Sequence, residues 1–353
     1  MIKVGLPGIV FDDHARRALL PGANRTFPPS RATVILQRIG TRTTSICPNC
    51  GRTLLLTVGG AILQLATTSD RKGTSSMMLA TDLDGTLLND ERMISAQDWQ
   101  TLARLRDMKV LRVVATGRSL WSARQAIPLD LPIDALVFSS GAGVVTWPDG
   151  DLTATANLTS DDLAVAIGQL KEVSCDFMVQ HGAPDSHVFH HLRTSGVPNP
   201  DFDRRIARYD RYATALESDP PSSAAHLVAI HPLAGGVEMW RRLKACLPAF
   251  NVVRTTSPID GESVWIEVFP AGVSKASACA ALAAERNIPR DAVMAVGNDY
   301  NDLDLLEWAG NSFVVANAPA PLRQRFASVA SHRDSGVSDA VCRWLGEGDP
   351  SIL

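Results

Sequence analysis

From Met77 onward the chain alternates short apolar runs with stretches in which apolar positions recur at helical spacing, the pattern of strands and helices in turn. Residues 77–81 form a first apolar run that stops at Asp82. Ser95, with Asp98 three positions on, marks the start of a helix that runs to about Asp107. Residues 110–115 predict a second strand, 118–126 a second helix, and 135–138 a third strand closing in Ser139-Ser140-Gly141. Such strand–helix–strand units build a parallel sheet with helices on both faces, so the predicted fold class is α/β. Ligands of these sheets gather at the carboxyl ends of the strands, which is where Asp82, Thr116 and Ser139 fall.

The rhythm changes over residues 151–261. A helix at 160–172, a strand at 175–180 and a polar stretch rich in His and Pro come first, followed by a strand at 226–231, a helix at 237–246 and a strand at 251–255. This is the pattern of a separate α+β unit inserted into the sheet domain. The sheet domain is expected over 77–150 and again over 262–353. Its second part carries a strand at 264–268, a helix at 274–286, strands at 292–296 and 313–316, and helices near 322–327 and 337–345. Residues 1–76 differ, with many Arg and Thr, Pro28 and Pro29, and no sustained period; they are expected to form a poorly ordered extension. Organised patterning begins at Met77, so Met77 or Met78 is a candidate true start.

Composition narrows the function without choosing it. With 353 residues there is room for a core and a large insertion. A net charge of −3 gives no electrostatic footprint for nucleic acid or an anionic membrane. The longest apolar run, 54–66, is broken by Thr57, Gly59, Gly60 and Gln64 and is too short for a bilayer. Six cysteines are sparse for this length, and Cys175, Cys246, Cys279 and Cys342 stand alone, which suits a reducing compartment; cytoplasm is the expectation. Cys47-Pro48-Asn49-Cys50 resembles half a zinc knuckle, but no second close pair completes four ligands nearby.

Four clusters carry chemistry. Asp82-Leu83-Asp84-Gly85-Thr86 ends the first strand, and a glycine turn lets its two carboxylates converge, one to attack and one to manage a proton. Ala115-Thr116-Gly117-Arg118 ends the next strand and opens a helix, offering a hydroxyl and helix N-terminal N–H groups to phosphate oxygens. Lys275 stands in the first turn of a helix, where the dipole is already positive and a cation needs an anion opposite. Gly297-Asn298-Asp299-Tyr300-Asn301-Asp302 follows an apolar strand with hard oxygen donors suited to magnesium. Taken alone, Lys275 is also an ordinary solvated lysine, and each of the other three clusters an ordinary cap or acidic turn. Their order along one sheet is what singles them out.

These residues resemble the haloacid dehalogenase superfamily of phosphatases, in particular its Cof-type sugar-phosphatase branch, over roughly residues 77–346. The resemblance implies a Rossmann-like core with an inserted α+β cap, Mg2+ as cofactor, and a small phosphorylated metabolite, a sugar phosphate above all, as substrate. It implies Asp82 as nucleophile, Asp84 as general acid/base, and Lys275 steadying both nucleophile and phosphate. Thr116 with Gly117 would bind the phosphoryl group, and the metal would sit among Asp82, Asp84 and the late turn. Asn317-Ala318 and Ser335-Gly336-Val337 are similar to that branch as well. The family writes the late turn as Gly-Asp-x-x-Asn-Asp, whereas this chain has Asn298 in second place; Asn298, Asp299 or Asp302 is then the main late ligand. The same motifs serve a phosphomutase, and the amide at 298 also suits a non-catalytic sugar-phosphate-binding protein. In the cap, His181, His187, His190 and His191 are expected in a polar loop, solvated or within reach of substrate.

Overall fold

The computed structural model describes residues 76–217 and 220–347, and upstream of them four strands. These are β1 (Ile35–Ile39), β2 (Arg42–Ile46), β3 (Thr53–Thr57) and β4 (Gln64–Ala66), paired antiparallel in that order within a separate unit, Met1–Thr74. Cys47 and Cys50 lie outside the described residues.

The second unit, Ser75–Leu353, starts with β5 (Met78–Thr81), whose four residues are all buried. Next come α1 (Ala96–Asp107), β6 (Leu111–Ala115), α2 (Leu120–Ala126) and β7 (Ala135–Phe138), with β5, β6 and β7 parallel neighbours. Ser95 caps α1 as its sequence predicts, accepting from the Asp98 N–H at 3.0 Å. Then β8 (Gly143–Thr146) and β9 (Leu152–Thr155) add an antiparallel edge.

The cap follows. It holds β10 (Leu158–Thr159), α3 (Ser160–Glu172), β11 (Phe177–His181), β12 (Phe189–Leu192), α4 (Pro200–Arg208) and β13 (Ala213–Ala215). It continues with β14 (Ser223–His231), α5 (Leu233–Cys246), β15 (Asn251–Thr256) and β16 (Val264–Phe269). The chain returns to the core with α6 (Lys275–Glu285), β17 (Val293–Gly297), α7 (Leu303–Trp308), β18 (Asn311–Val315), α8 (Ala320–Arg325), β19 (Ala327–Val329) and α9 (Gly336–Leu345).

The core sheet runs β19-β18-β17-β5-β6-β7-β8-β9, so β5 is central and its carboxyl end lies beside those of β17 and β6. Both faces are covered, as continuous apolar strands require. Leu79, Val114, Leu136 and Val296 pack with Leu102 of α1, Ala123 of α2 and Val337 of α9. Met78, Ala80, Val113 and Ala295 pack on the opposite face with Cys279 and Leu282 of α6 and Leu305 of α7. Among the described residues no helix is long and apolar enough to cross a membrane.

Two predicted boundaries move. Residues 152–155, expected in the cap, form β9 of the core sheet. The strand expected to resume the core, 264–268, is instead β16 of the cap sheet, paired antiparallel with β14 and β15. A run such as Val264-Trp265-Ile266-Glu267-Val268-Phe269 resembles a two-sided core strand because all six residues are buried. Here, however, α3 and α5 cover one face of the cap sheet, and the opposite face is closed by α4 and the core. The histidines also differ from expectation: His181 and His190 lie on β11 and β12, with rings stacked at 5.2 Å.

One buried ion pair fixes the β6–β7 connection. Arg112, on β6, donates from Nε and Nη2 to Asp134 at 3.0 and 2.8 Å and from Nη1 to the Pro132 carbonyl at 2.8 Å. Asp134→Ala leaves the buried guanidinium without its anion. The expected result is a loss of about 3 kcal/mol in unfolding free energy, read from urea denaturation of both proteins.

Candidate active site

The site is built where β5, β6 and β17 end. The Asp82 N–H still donates to Val296 O at 2.9 Å, continuing the β5–β17 ladder, and the chain then turns away through Gly85 at φ +72°. That glycine is required twice. A side chain would be strained there, and a Cβ would meet the Asn298 amide at 2.6 Å. Asp82 is 4% exposed.

Lys275 opens α6 behind the cap residue Ser274 and is buried. Its Nζ lies 2.6 Å from Asp82 Oδ1 and 2.6 Å from Asp302 Oδ1. The anions opposite this misplaced cation are therefore two carboxylates from different strand ends. Burial pulls the Lys275 ammonium towards neutrality, but Asp302 and Asp82 outweigh it and hold it above the ordinary lysine range. Asp82 is pushed up to about 7, by burial first and by Asp302 next, against the pull of Lys275.

The late turn divides its three candidate ligands among three tasks. Asp302 points inward, where its Oδ2 accepts from the N–H groups of Asn298 (2.9 Å) and Asp299 (3.1 Å), so both its oxygens are engaged. Gly297 makes room for it, since a Cβ there would lie 2.6 Å from the Asp302 side chain. Asp299 turns to the cap, accepting from the Thr255 hydroxyl at 3.0 Å and the Thr256 N–H at 2.8 Å. Asn298 sits against Gly85 in the Asp82–Asp84 turn. Asn317, on the far side, donates to Gly85 O at 2.8 Å and accepts from the His332 N–H at 3.1 Å.

Thr116 is buried at the end of β6, its N–H bonded to Val137 O and its hydroxyl accepting from the Arg118 N–H at 3.1 Å. Beside Gly117 run Ser139 and Ser140, two non-glycine residues in the left-handed region at φ 46° and 50°. Sequence reasoning gave Arg118 no role. In the structure it grips Asp84 with two bonds of 2.6 Å, from Nε and Nη2. The signal was an arginine directly after Thr116-Gly117, at the helix start that faces Asp84. The cap closes the site into a cavity of about 580 Å³. Asp82, Asp84, Thr116, Gly117, Arg118 and Asn298 line its core side, and His187, Arg205, His226 and Glu267 its cap side.

A family model of haloacid dehalogenase-like hydrolases matches residues 79–341. The chain belongs to that family. Within the family it falls in the Cof-type branch and is a phosphoric monoester hydrolase. The HMP-PP phosphatase of Citrobacter koseri is 27% identical over 281 residues, which cover 76% of this chain and 95% of that protein. The 5-amino-6-(5-phospho-D-ribitylamino)uracil phosphatase YitU of Bacillus subtilis is 26% identical over 286 residues, covering 75% and 96%. Among solved structures, BT1666 from Bacteroides thetaiotaomicron superposes with a TM-score of 0.61 at 18% identity, over 80% of this chain and 99% of that one. That likeness establishes the shared fold.

The donors fit a magnesium ion, with one charge fewer than a pair of carboxylates would bring. Among the described residues no three His, Cys, Asp or Glu side chains converge on a common metal position. With Asp302 committed to Lys275 and to two amides, the oxygen-bearing residues of the first and last clusters that line the cavity include Asp82, Asp84, Asn298 and Asn301. Magnesium accepts one carboxylate completed by neutral oxygens, water and phosphate. Asp82, Asp302 and Lys275 also leave one negative charge unbalanced in a buried place.

Because the folded protein raises the Asp82 pKa from 3.8 to about 7, the folded state holds the proton more tightly, and Asp82 costs stability as pH rises through that window. In chelator-treated protein, Asp82→Asn should match the parent at pH 4, become progressively more stable than it as pH rises to about 7, and keep that margin above. Thermal melts of both proteins across that range give the difference.

Proposed function

We propose that this chain hydrolyses the monophosphate ester of a small metabolite, a sugar phosphate, through a phosphorylated Asp82, with Mg2+ as cofactor. The observation that carries the reading is the meeting of Asp82 and Asp302 on Lys275, at one end of one sheet and beneath a cap. Relatives that act on small phosphorylated compounds support it, as does the fold shared with one solved neighbour, the subclass IIB sugar phosphatase BT4131, at a TM-score of 0.60.

In the first step a carboxylate oxygen of Asp82 bonds to phosphorus, the bond to the substrate oxygen breaks, and Asp84 gives that oxygen its proton. In the second, Asp84 takes a proton from water as the water oxygen bonds to phosphorus, and the Asp82–phosphorus link breaks to release phosphate. Lys275 keeps Asp82 in place and offsets charge on the transferring group, while the Thr116 hydroxyl and the N–H groups after it receive phosphoryl oxygens. Asp82, the Asp84 carbonyl and Asn298 would hold magnesium, which supplies further charge neutralisation when bound. Arg118 holds both oxygens of Asp84. An incoming phosphate competes for the same guanidinium and frees Asp84 to carry the proton. Cap closure, to which Asp299 contributes by binding β15, excludes bulk water from the first step.

Asp82→Asn is expected to reduce phosphate release on the order of 10³-fold or more while the circular dichroism spectrum stays that of the parent. Free phosphate appearing at the parent's rate in that variant would overturn the assignment. Asn298→Asp restores a charged oxygen beside Gly85. It should lower the half-saturating magnesium concentration about tenfold, measured by titration calorimetry and by activity alike, since one close opposite charge contributes on this scale.

A further inference from the structure

The face of the cap sheet that looks towards the core breaks the alternation of the strands that form it. On β11, β14 and β16 the residues facing α3 and α5 are apolar, among them Phe177, Val179, Leu227, Ile266 and Val268. The opposite face carries Met178, Val228, Ile230 and Trp265, but also Gln180, His226 and Glu267, all three buried. Gln180 lies opposite His226 in the β11–β14 register, and Glu267 lies opposite Val228, one diagonal from His226. Three polar side chains on adjacent strands of a buried face cost stability unless each finds partners.

Each of the three keeps one buried polar atom without a partner among the described residues. Glu267 Oε2, His226 Nδ1 and Gln180 Nε2 are buried atoms with no hydrogen-bond partner among the described residues, and so is Arg205 Nε of α4, which faces the same sheet. Arg205 lies over the Trp265 ring at 4.5 Å and reaches Gln180 Oε1 only at 3.4 Å. His226 stacks on Phe269 at 4.7 Å and stands 4.0 Å from Glu267 Oε1. Arg205 makes no ion pair with Glu267, so an acid and a base face one space without closing it. Burial keeps His226 neutral, and it lifts Glu267 against the pull of Arg205 and Lys275. Arg205, His226, Trp265 and Glu267 all line the cavity that holds Asp82.

We infer that Arg205, His226 and Glu267 form the subsite for the leaving group, and that they select an uncharged polyhydroxyl group. A second phosphate or a carboxylate there would meet Glu267, and an amine would meet Arg205. Adjacent hydroxyls, each donor and acceptor at once, satisfy Arg205 Nε, Glu267 Oε2 and His226 Nδ1 together. The inference rests on the phosphatase reading above and adds to it which residues choose the substrate and by what charge.

The test uses the full chain with magnesium, alditol and aldose monophosphates of four to six carbons, the matching phosphorylated aldonic acids, and acetyl phosphate, which has no polyol. At least one neutral polyol phosphate should exceed its acid counterpart in kcat/KM by tenfold or more. Glu267→Gln, which keeps the side-chain shape, should cut that preference to threefold or less, chiefly through KM. Arg205→Met should lower kcat/KM for the polyol phosphate, relative to that for acetyl phosphate, by at least tenfold. Glu238→Gln, on an exposed face of α5, should preserve the parent's preference. Equal use of neutral and acidic substrates, an unchanged preference in Glu267→Gln, or turnover of acetyl phosphate with none of the polyol phosphates overturns the inference. No release of phosphate by the parent protein from any of these substrates, acetyl phosphate included, would instead remove the phosphatase reading beneath it.

Discussion

A single buried ammonium organises the site. Lys275 Nζ is shared between Asp82 and Asp302, which come from strand ends far apart in the chain, and the three charges have almost no contact with water. A buried charge is tolerable only with a partner at hydrogen-bonding distance. Remove the lysine and two carboxylates face one another in a dry space. Remove both aspartates and a cation is left without an anion on a helix N-terminus that already repels it. The arrangement therefore fixes β5, β17 and α6 relative to one another, and the geometry of the candidate site is a consequence of that mutual dependence.

The late turn shows how much one backbone path can specify. Within five residues it places Asp302 inward on the lysine, Asp299 outward on the cap, and Asn298 sideways against the Asp82–Asp84 turn. Gly297 and Gly85 allow this because neither position has room for a side chain. The result is a corner whose oxygens, as proposed for magnesium, carry one formal charge fewer than two carboxylates would give. Asp299, one position along, carries a negative charge that binds the cap instead.

The cap sheet has two faces with different chemistry. Its outer face is an ordinary apolar contact with α3 and α5. Its inner face carries polar atoms without partners among the described residues, held on strands beside a stacked arginine. Strands position such groups more firmly than loops do, which suits the leaving-group subsite proposed for this face.

The sequence by itself determined the alternation of strands and helices, the parallel core, the inserted cap, and the residues that meet at the strand ends. These follow from local periodicity, caps and motif order, which nearest neighbours along the chain control. Tertiary structure alone decided that 264–269 completes the cap sheet, because an all-apolar strand pattern reports burial on two faces and is silent about which sheet provides it. It alone separated Asn298, Asp299 and Asp302, three oxygen-bearing residues that are equivalent by spacing and differ only in where the turn aims them. Tertiary structure likewise decided that Arg118 grips Asp84, and that Arg205 Nε, His226 Nδ1 and Glu267 Oε2 have no partner among the described residues. Whether a polar side chain has found its partner depends on strand register and on elements distant in the chain, and no local pattern encodes that.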